Sequence, residues 1–361
     1  MSMAHFRTAR IRLALIAALV VLVSGVIWFV NAGSHARRLY RLAEEALAVH
    51  DFRAASRDLD EYLALRPSDA DGLLLAAHAA RRGGDFGTAE KRLGTAEANG
   101  VDAKALARER ELLRVQAGDV EEAERLVRLC ERDPKSQDSA VMLEALAEGG
   151  LRALDRPLAV WCARTWLETR PGKLDQARGL IWRGRLREWQ NDYPGALVDF
   201  RRAAELAPAY VPARVRVAYG VLREDPHEAT AELTWLLEHA ARDPDVRLLT
   251  ARWRRALGDT EKAARLLDEL LAEYPDEAAV LIERGRVALD LNRAAEAERW
   301  LLHAAEAAPE EREVNLALGD WHRLSGRPGD ATRHYVKART VDAPLESAPK
   351  PLVGSGKRKA S

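Results

Sequence analysis

Very little in this sequence suits an active centre. Its 361 residues include only two cysteines, three methionines and five phenylalanines. There is no HExxH to hold a zinc ion on one helical face, no GxSxG to expose a nucleophilic serine, and no GxGxxG to admit a dinucleotide. The histidines His50, His78, His227, His239, His303, His322 and His334 are scattered without metal-ligand spacing. Gly354-Ser-Gly356-Lys357 resembles a phosphate loop only superficially, because the G-x₄-G-K-[ST] spacing, the preceding strand and the following helix are all missing. Basic and acidic side chains balance at 56 each, so the formal charge is zero and a dedicated nucleic-acid protein is disfavoured. Runs of β-branched residues bounded by turns are also missing, which argues against a mixed α/β domain. An enzyme is therefore not expected, and no cofactor or metal is implied.

What the chain does contain is a recurring hairpin pattern. Its clearest copy runs from Gly184 to Pro208. Gly184 falls on a first helix and Ala196 on a second, where the two axes approach most closely. A larger side chain there would force the helices apart, at about 1–3 kcal/mol. Gln190-Asn191-Asp192 interrupts the first helix with residues that compete for backbone hydrogen bonds. Pro194 follows where the second helix begins and a missing N–H does no harm. Ala196, Phe200 and Ala203 share one face, and Pro208 ends the unit. This stretch resembles the tetratricopeptide repeat, a helix–turn–helix of about 34 residues with small, aromatic and proline residues at such positions.

One hairpin cannot bury its apolar face alone, so neighbours are required, and the pattern recurs on both sides. Successive sets fall at Ala43, Ala55, Tyr62 and Pro67; at Ala77, Gly84, Ala89 and Ala96; and at Glu111 and Ala123 through Pro134. Further sets fall at Ala147, Ala159, Trp166 and Pro171; the opening stretch; and Ala218, Ala229 and Leu233. The last three are Ala251, Gly258, Ala263 and Pro275; Gly285, Ala297, Ala304 and Pro309; and Gly319, Gly326, Ala331 and Ala338. The third set departs from the pattern in its first helix, where Glu111 replaces a small residue, while its second half reads as regular. The sixth is irregular near Glu224-Asp225-Pro226. The expected architecture is all-α: a right-handed α-solenoid of about nine repeats over residues 36–344. Its last hairpin carries Arg323, Arg327, Arg333 and His334, which suits a solvated cap. Cys130 and Cys162 lie on second helices of consecutive repeats and read as buried apolar side chains rather than a disulfide.

Residues 1–12 form a basic tail, and 13–34 carry no charged side chain. That run is long enough to cross the ~30 Å hydrocarbon layer as a helix and longer than the ~7–15 residues of a signal-peptide core. Trp28 and Phe29 sit where an aromatic belt would. A single-pass anchor in a bacterial inner membrane is expected, with the repeats facing the periplasm. The arginine counts flanking the run are nearly equal, and the orientation rests on the short leading tail being basic throughout. Residues 345–361, rich in proline, glycine, serine and lysine, read as a disordered tail.

In the tetratricopeptide family, first helices line a concave groove that holds an extended peptide or a partner's helix. The positions implied by that resemblance are Arg178, Trp182, Arg185, Trp189, Arg216, Tyr219, Arg252, Arg255 and Arg286. Guanidinium forks suit carboxylates and tryptophan faces supply contact area, so an acidic or extended segment is the expected ligand. Arginine outnumbers lysine throughout, however, so arginine at an exposed helical position is unremarkable. Members that clamp a C-terminal carboxylate use lysine and asparagine in the early repeats, where this chain has Tyr40 and Glu44. The resemblance implies an anchored scaffold in an envelope assembly, with protein partners and no nucleic acid. An enzyme-associated regulatory subunit or a chaperone-like factor is the alternative, and self-association through the end faces stays open.

Overall fold

The computed structural model describes residues 33–342 apart from 122, 310 and 311, with side chains described up to residue 338. Of the expected membrane run over 13–34, residues 13–32 lie outside the described residues, as do the leading tail over 1–12 and the tail over 345–361. Among those described, no helix is long and apolar enough to cross a membrane.

Every described element is helical. The chain divides at Leu186/Arg187 into two compact units. The first contains α1 (33–48), α2 (Phe52–Leu65), α3 (Ala70–Gly83), α4 (Phe86–Ala98), α5 (Ala103–Ala117), α6 (Glu124–Arg132), α7 (Gln137–Arg152), α8 (Arg156–Thr169) and most of α9 (Lys173–Trp189). The second contains α10 (Tyr193–Leu206), α11 (Val211–Leu222), α12 (Thr230–Ala240), α13 (Pro244–Ala256), α14 (Thr260–Glu273), α15 (Ala278–Asp290), α16 (Ala294–Ala307), α17 (Arg312–Leu324) and α18 (Pro328–Asp342). Within each unit, odd-numbered helices pack on the next odd-numbered helix and on the even-numbered helices beside them: α3 on α4 and α5, α13 on α14 and α15, α15 on α16 and α17. This is the paired helix–turn–helix arrangement that the spacing implies.

The hairpin turns show why the register is so regular. His50, Gly84, Gly118, Leu154, Asn191, Gly258, Asn292 and Gly326 all have positive φ, and each ends the first helix of its pair. In most pairs the next residue is aspartate. Asp51, Asp85, Asp155 and Asp192 each accept a hydrogen bond from the backbone N–H three residues on, which satisfies a donor that the new helix leaves open. A left-handed residue followed by a cap thus reverses the chain every ~34 residues. The exception is the sixth pair, whose connection runs past Pro226. There the Trp253 indole N–H donates to the Pro226 carbonyl at 3.0 Å and ties that loop to α13.

Second helices bury one narrow stripe of small and apolar side chains. Ala89, Leu93 and Ala96 on α4, and Ala297, Leu301 and Ala304 on α16, are fully buried at i, i+4 and i+7. The third pair differs from the sequence reading. Its second helix, α6, has nine residues and starts at Glu124, after Ala123 in place of an acidic cap. Glu111, standing where a small residue was expected, is received by the guanidinium of Arg125 on α6 through two charge-assisted hydrogen bonds, one of them 3.0 Å. Cys130 and Cys162 are both buried and unpaired, and burial pushes the Cys130 thiol up to about 11.

Candidate functional site

First helices carry their charges inward, toward the neighbouring first helix. In the first unit, Glu144 of α7 receives Arg82 of α3 through two parallel N–H···O bonds of 2.7 Å and Arg178 of α9 at 2.7 Å. Both guanidiniums lie over the ring of Phe52, at 4.5 and 5.5 Å from its centroid. Both also donate to the Nδ1 atom of His50, at 3.0 and 3.1 Å. The turn between α1 and α2 is therefore seated against α3, α7 and α9. His50 Nδ1 accepts two hydrogen bonds, so its proton resides on Nε2, which faces Asp175 at 3.9 Å. Burial and the Arg178 guanidinium hold the His50 pKa below its ordinary value, although Asp175 works against them.

The same unit holds two more such carboxylates. Glu109 of α5 meets Arg81 of α3 at 2.6 Å, and the Gln116 side chain bridges Arg81 from the other side. Glu148 of α7 accepts from the Trp182 indole at 2.8 Å and from Arg185 at 3.0 Å. Burial raises the pKa of each carboxyl, yet the surrounding cations prevail. Glu109 and Glu148 are held at about 2, and Glu144 well below the usual range.

The second unit has its own row of paired charges. Glu188 at the end of α9 lies 3.8 Å from Arg216 of α11. The Arg252 guanidinium of α13 stands over the ring of Tyr219 of α11. Arg252, Arg255 and Arg286 converge on Glu283 of α15, whose carboxyl is buried and held below its ordinary pKa: burial opposes ionisation and the three guanidiniums outweigh it.

The structure thus sorts the nine residues read as a groove. Trp182 is buried edge-on against Trp166, with 5.0 Å between ring centroids, and Arg178 is buried on Glu144. Their packing within the first unit leaves no open face. Arg185 is partly covered on Glu148, Trp189 is half-buried, and Arg216 stands on Glu188. Arg252, Arg255 and Arg286 come together around Glu283, with Tyr219 beneath the Arg252 guanidinium. None of these carboxylates was among the candidates read from the sequence. Glu144 stands alone within the apolar run Val-Met-Leu-Glu-Ala-Leu, and Glu283 directly follows the apolar Val-Leu-Ile, which are the local signs of burial. A separate cleft of about 410 Å³ near α1 is lined by Arg37, Tyr40, Tyr62, Arg66, Asp69 and Asp71. Its Tyr62 hydroxyl already donates to Asp69 at 2.8 Å.

The helix pairing and the one-per-repeat turn residue decide the kind of protein. Part of the chain carries the tetratricopeptide repeat. Residues 254–320 match that repeat, and these residues include Arg255, Glu283 and Arg286. No curated protein matches the chain. Among solved structures, the human IFIT1 dimer with m7Gppp-AAAA has 19% identity and a TM-score of 0.51, covering 75% of this chain and 68% of that one. A monomeric IFIT1 mutant with Gppp-AAAA, also 19% identical, gives a TM-score of 0.50 with coverages of 75% and 69%. TTC0263, a thermophilic tetratricopeptide protein of Thermus thermophilus, is 24% identical over 49% of this chain and 93% of that one, with a TM-score of 0.41. At these identities the likeness concerns the fold alone.

Proposed function

We propose that this chain is a membrane-tethered scaffold that recruits proteins through the first-helix faces of its repeats. Tetratricopeptide repeats imply protein partners. The observation that carries the reading is the row formed by Tyr219, Arg252, Arg255 and Arg286 on α11, α13 and α15. The three arginine side chains keep 19%, 29% and 28% of their surface exposed while their positions are held from below by a buried carboxylate. Such a row offers pre-positioned donors to an extended segment, which reduces the ordering cost of binding. In this proposal the run over 13–34 is the anchor, the membrane is the inner membrane of a bacterium, the repeats face the periplasm, and the partners belong to an envelope assembly.

In vivo photo-crosslinking from residues beside Arg252 and Arg286 tests the reading. Repeated capture of one envelope protein, lost when Arg252 and Arg286 are replaced together in a folded chain, is the expected result. A capture pattern unchanged by those replacements would remove this face from the function.

A further inference from the structure

The cleft of about 410 Å³ beside α1 is built from three helices at the end of the uncharged run. Arg37 and Tyr40 come from α1, Tyr62 from α2 and Arg66 from the residue that closes α2. Asp69 caps α3 and Asp71 lies in its first turn. Gly33, the last residue but one of the run over 13–34, lies beside both guanidiniums. Its carbonyl accepts from Arg37 Nε at 3.3 Å, and a Cβ added to it would lie 3.8 Å from Arg66 Nη2. Asp69 is already committed: its Oδ2 accepts from the Tyr62 hydroxyl at 2.8 Å and from the Gly72 N–H at 2.9 Å, which fixes Tyr62 in the wall. The Tyr40 ring meets the Tyr62 ring edge to face, 5.3 Å between centroids. The other groups are open. Among the described residues the Arg66 guanidinium, the terminal nitrogens of Arg37, the Tyr40 hydroxyl and the Asp71 carboxylate make no hydrogen bond or ion pair. Burial, followed by the carboxylates of Glu44, Asp71 and Asp69, raises the Tyr40 pKa, so its hydroxyl stays a donor.

We propose that this cleft binds a zwitterion made of a phosphate and an ammonium group, of the phosphoethanolamine kind. The two arginines and two aspartates of the lining cancel. A simple anion or cation therefore gains little net attraction, whereas a ligand carrying both signs finds a partner for each. Arg37, Arg66 and the Tyr40 hydroxyl supply donors to the phosphate oxygens, which guanidinium forks match with parallel N–H bonds. Asp71 and the tyrosine rings receive the ammonium, the carboxylate by charge and the rings by their negative faces. The chemistry has two sources, a phospholipid headgroup and a soluble phosphoethanolamine ester. The lipid source rests on the membrane-anchor reading and the site itself does not. A helix spanning the hydrocarbon layer over 13–34 ends at Gly33 and Ser34, which sets the cleft at headgroup depth.

The test uses the full chain in maltoside micelles and three probes: dihexanoyl-phosphatidylethanolamine, dihexanoyl-phosphatidylglycerol and glycerophosphoethanolamine. Native mass spectrometry reads the bound fraction of each. The expected result is that the ethanolamine lipid binds about tenfold more tightly than the glycerol lipid, which has the phosphate and lacks the ammonium. R37Q/R66Q should abolish binding of the ethanolamine lipid. D71N should keep phosphate binding and erase the preference between the two lipids, a change that loss of folding cannot imitate. All three side chains are exposed, and thermal melts confirm that the variants fold. Equal binding of the two lipids by the parent chain, an unchanged preference in D71N, or indifference to R37Q/R66Q would each overturn the proposal. Glycerophosphoethanolamine binding as tightly as the ethanolamine lipid would keep the zwitterion site and overturn the lipid source. Alkaline carbonate extraction of membranes tests the anchor separately. A chain released by carbonate yet selective for ethanolamine keeps the site and loses the anchor. A chain retained in the membrane without that selectivity keeps the anchor and loses the site.

Discussion

At the residue scale, the informative side chains are carboxylates inside the helix pairs. Glu144 is bound by the guanidiniums of Arg82 and Arg178, both largely buried. Replacing it with alanine is expected to cost about 3–5 kcal/mol, because the penalty is that of stranding buried charge. Denaturant unfolding of Glu144→Ala against the parent chain checks this. The pH dependence follows from the same cluster. Glu109, Glu144 and Glu148 have folded pKa values below those of the unfolded chain, so their contribution is present above about pH 4.5 and lost as the pH falls toward about 2. His50 is also depressed, so its contribution is complete above about pH 6.5 and falls away as the pH drops below that value. Protonating Nδ1 would break both hydrogen bonds it accepts and place a third cation beside Arg82 and Arg178, with Glu144 and Asp175 as the nearby anions. Amide protection factors in α3, α7 and α9, taken relative to the intrinsic exchange rate at each pH, should therefore fall as the pH drops below about 6.5. His50→Asn tolerates the left-handed turn and should remove that early phase while leaving the loss below about pH 4.5.

At the element scale, turns and close approaches set the register. Asp192→Ala deletes the hydrogen bond accepted from Gly195 N–H and should lower stability by about 1 kcal/mol. Asn191→Gly should be nearly neutral, since φ there is +59° and glycine adopts it freely. The paired thermal melts separate the cap from the turn. A larger effect is expected at Gly149 on α7. A Cβ there would lie 2.0 Å from the carbonyl oxygen of Val115 on α5, so Gly149→Ala must push two first helices apart, at about 1–3 kcal/mol or more. The same melts check it; a wild-type melting temperature would mean that the approach of α5 to α7 is looser than described. Of these features, the turn was readable: glycine or asparagine followed by aspartate recurs at 84–85, 118–119, 191–192 and 258–259. The Gly149 approach was not, because nothing near Val115 in the sequence signals which carbonyl α7 will touch. Nor was the short α6, whose Arg125 receives Glu111 of α5.

At the scale of the whole molecule, the prediction concerns where the repeats reside. A reporter fused after Ser361 that works only outside the cytoplasm is expected to be active, given the uncharged run over 13–34 and the basic residues that precede it. Activity directs the search for partners to exported and envelope-assembly proteins. An inactive fusion, with a cytoplasmic reporter fluorescent at the same junction, would reverse the orientation and bring the regulatory-subunit alternative forward.

Periodicity alone determined the architecture in outline. Small residues, a turn residue and a stripe such as Ala297, Leu301 and Ala304 are local signals, each tied to a helix or a reversal within one repeat. The tertiary structure decided which charges meet. Arg82, Glu144 and Arg178 are far apart along the chain, and His50 reaches Arg178 only because stacked hairpins bring the first turn against α9. The same distinction separates the nine groove candidates. Helical spacing placed all of them on first helices, but only packing buried Trp182 and Arg178 while gathering Arg252, Arg255 and Arg286 around Glu283. The physical reason is range: propensity, capping and amphipathic spacing act over a few residues, whereas burial and ion pairing depend on neighbours that the local sequence does not name.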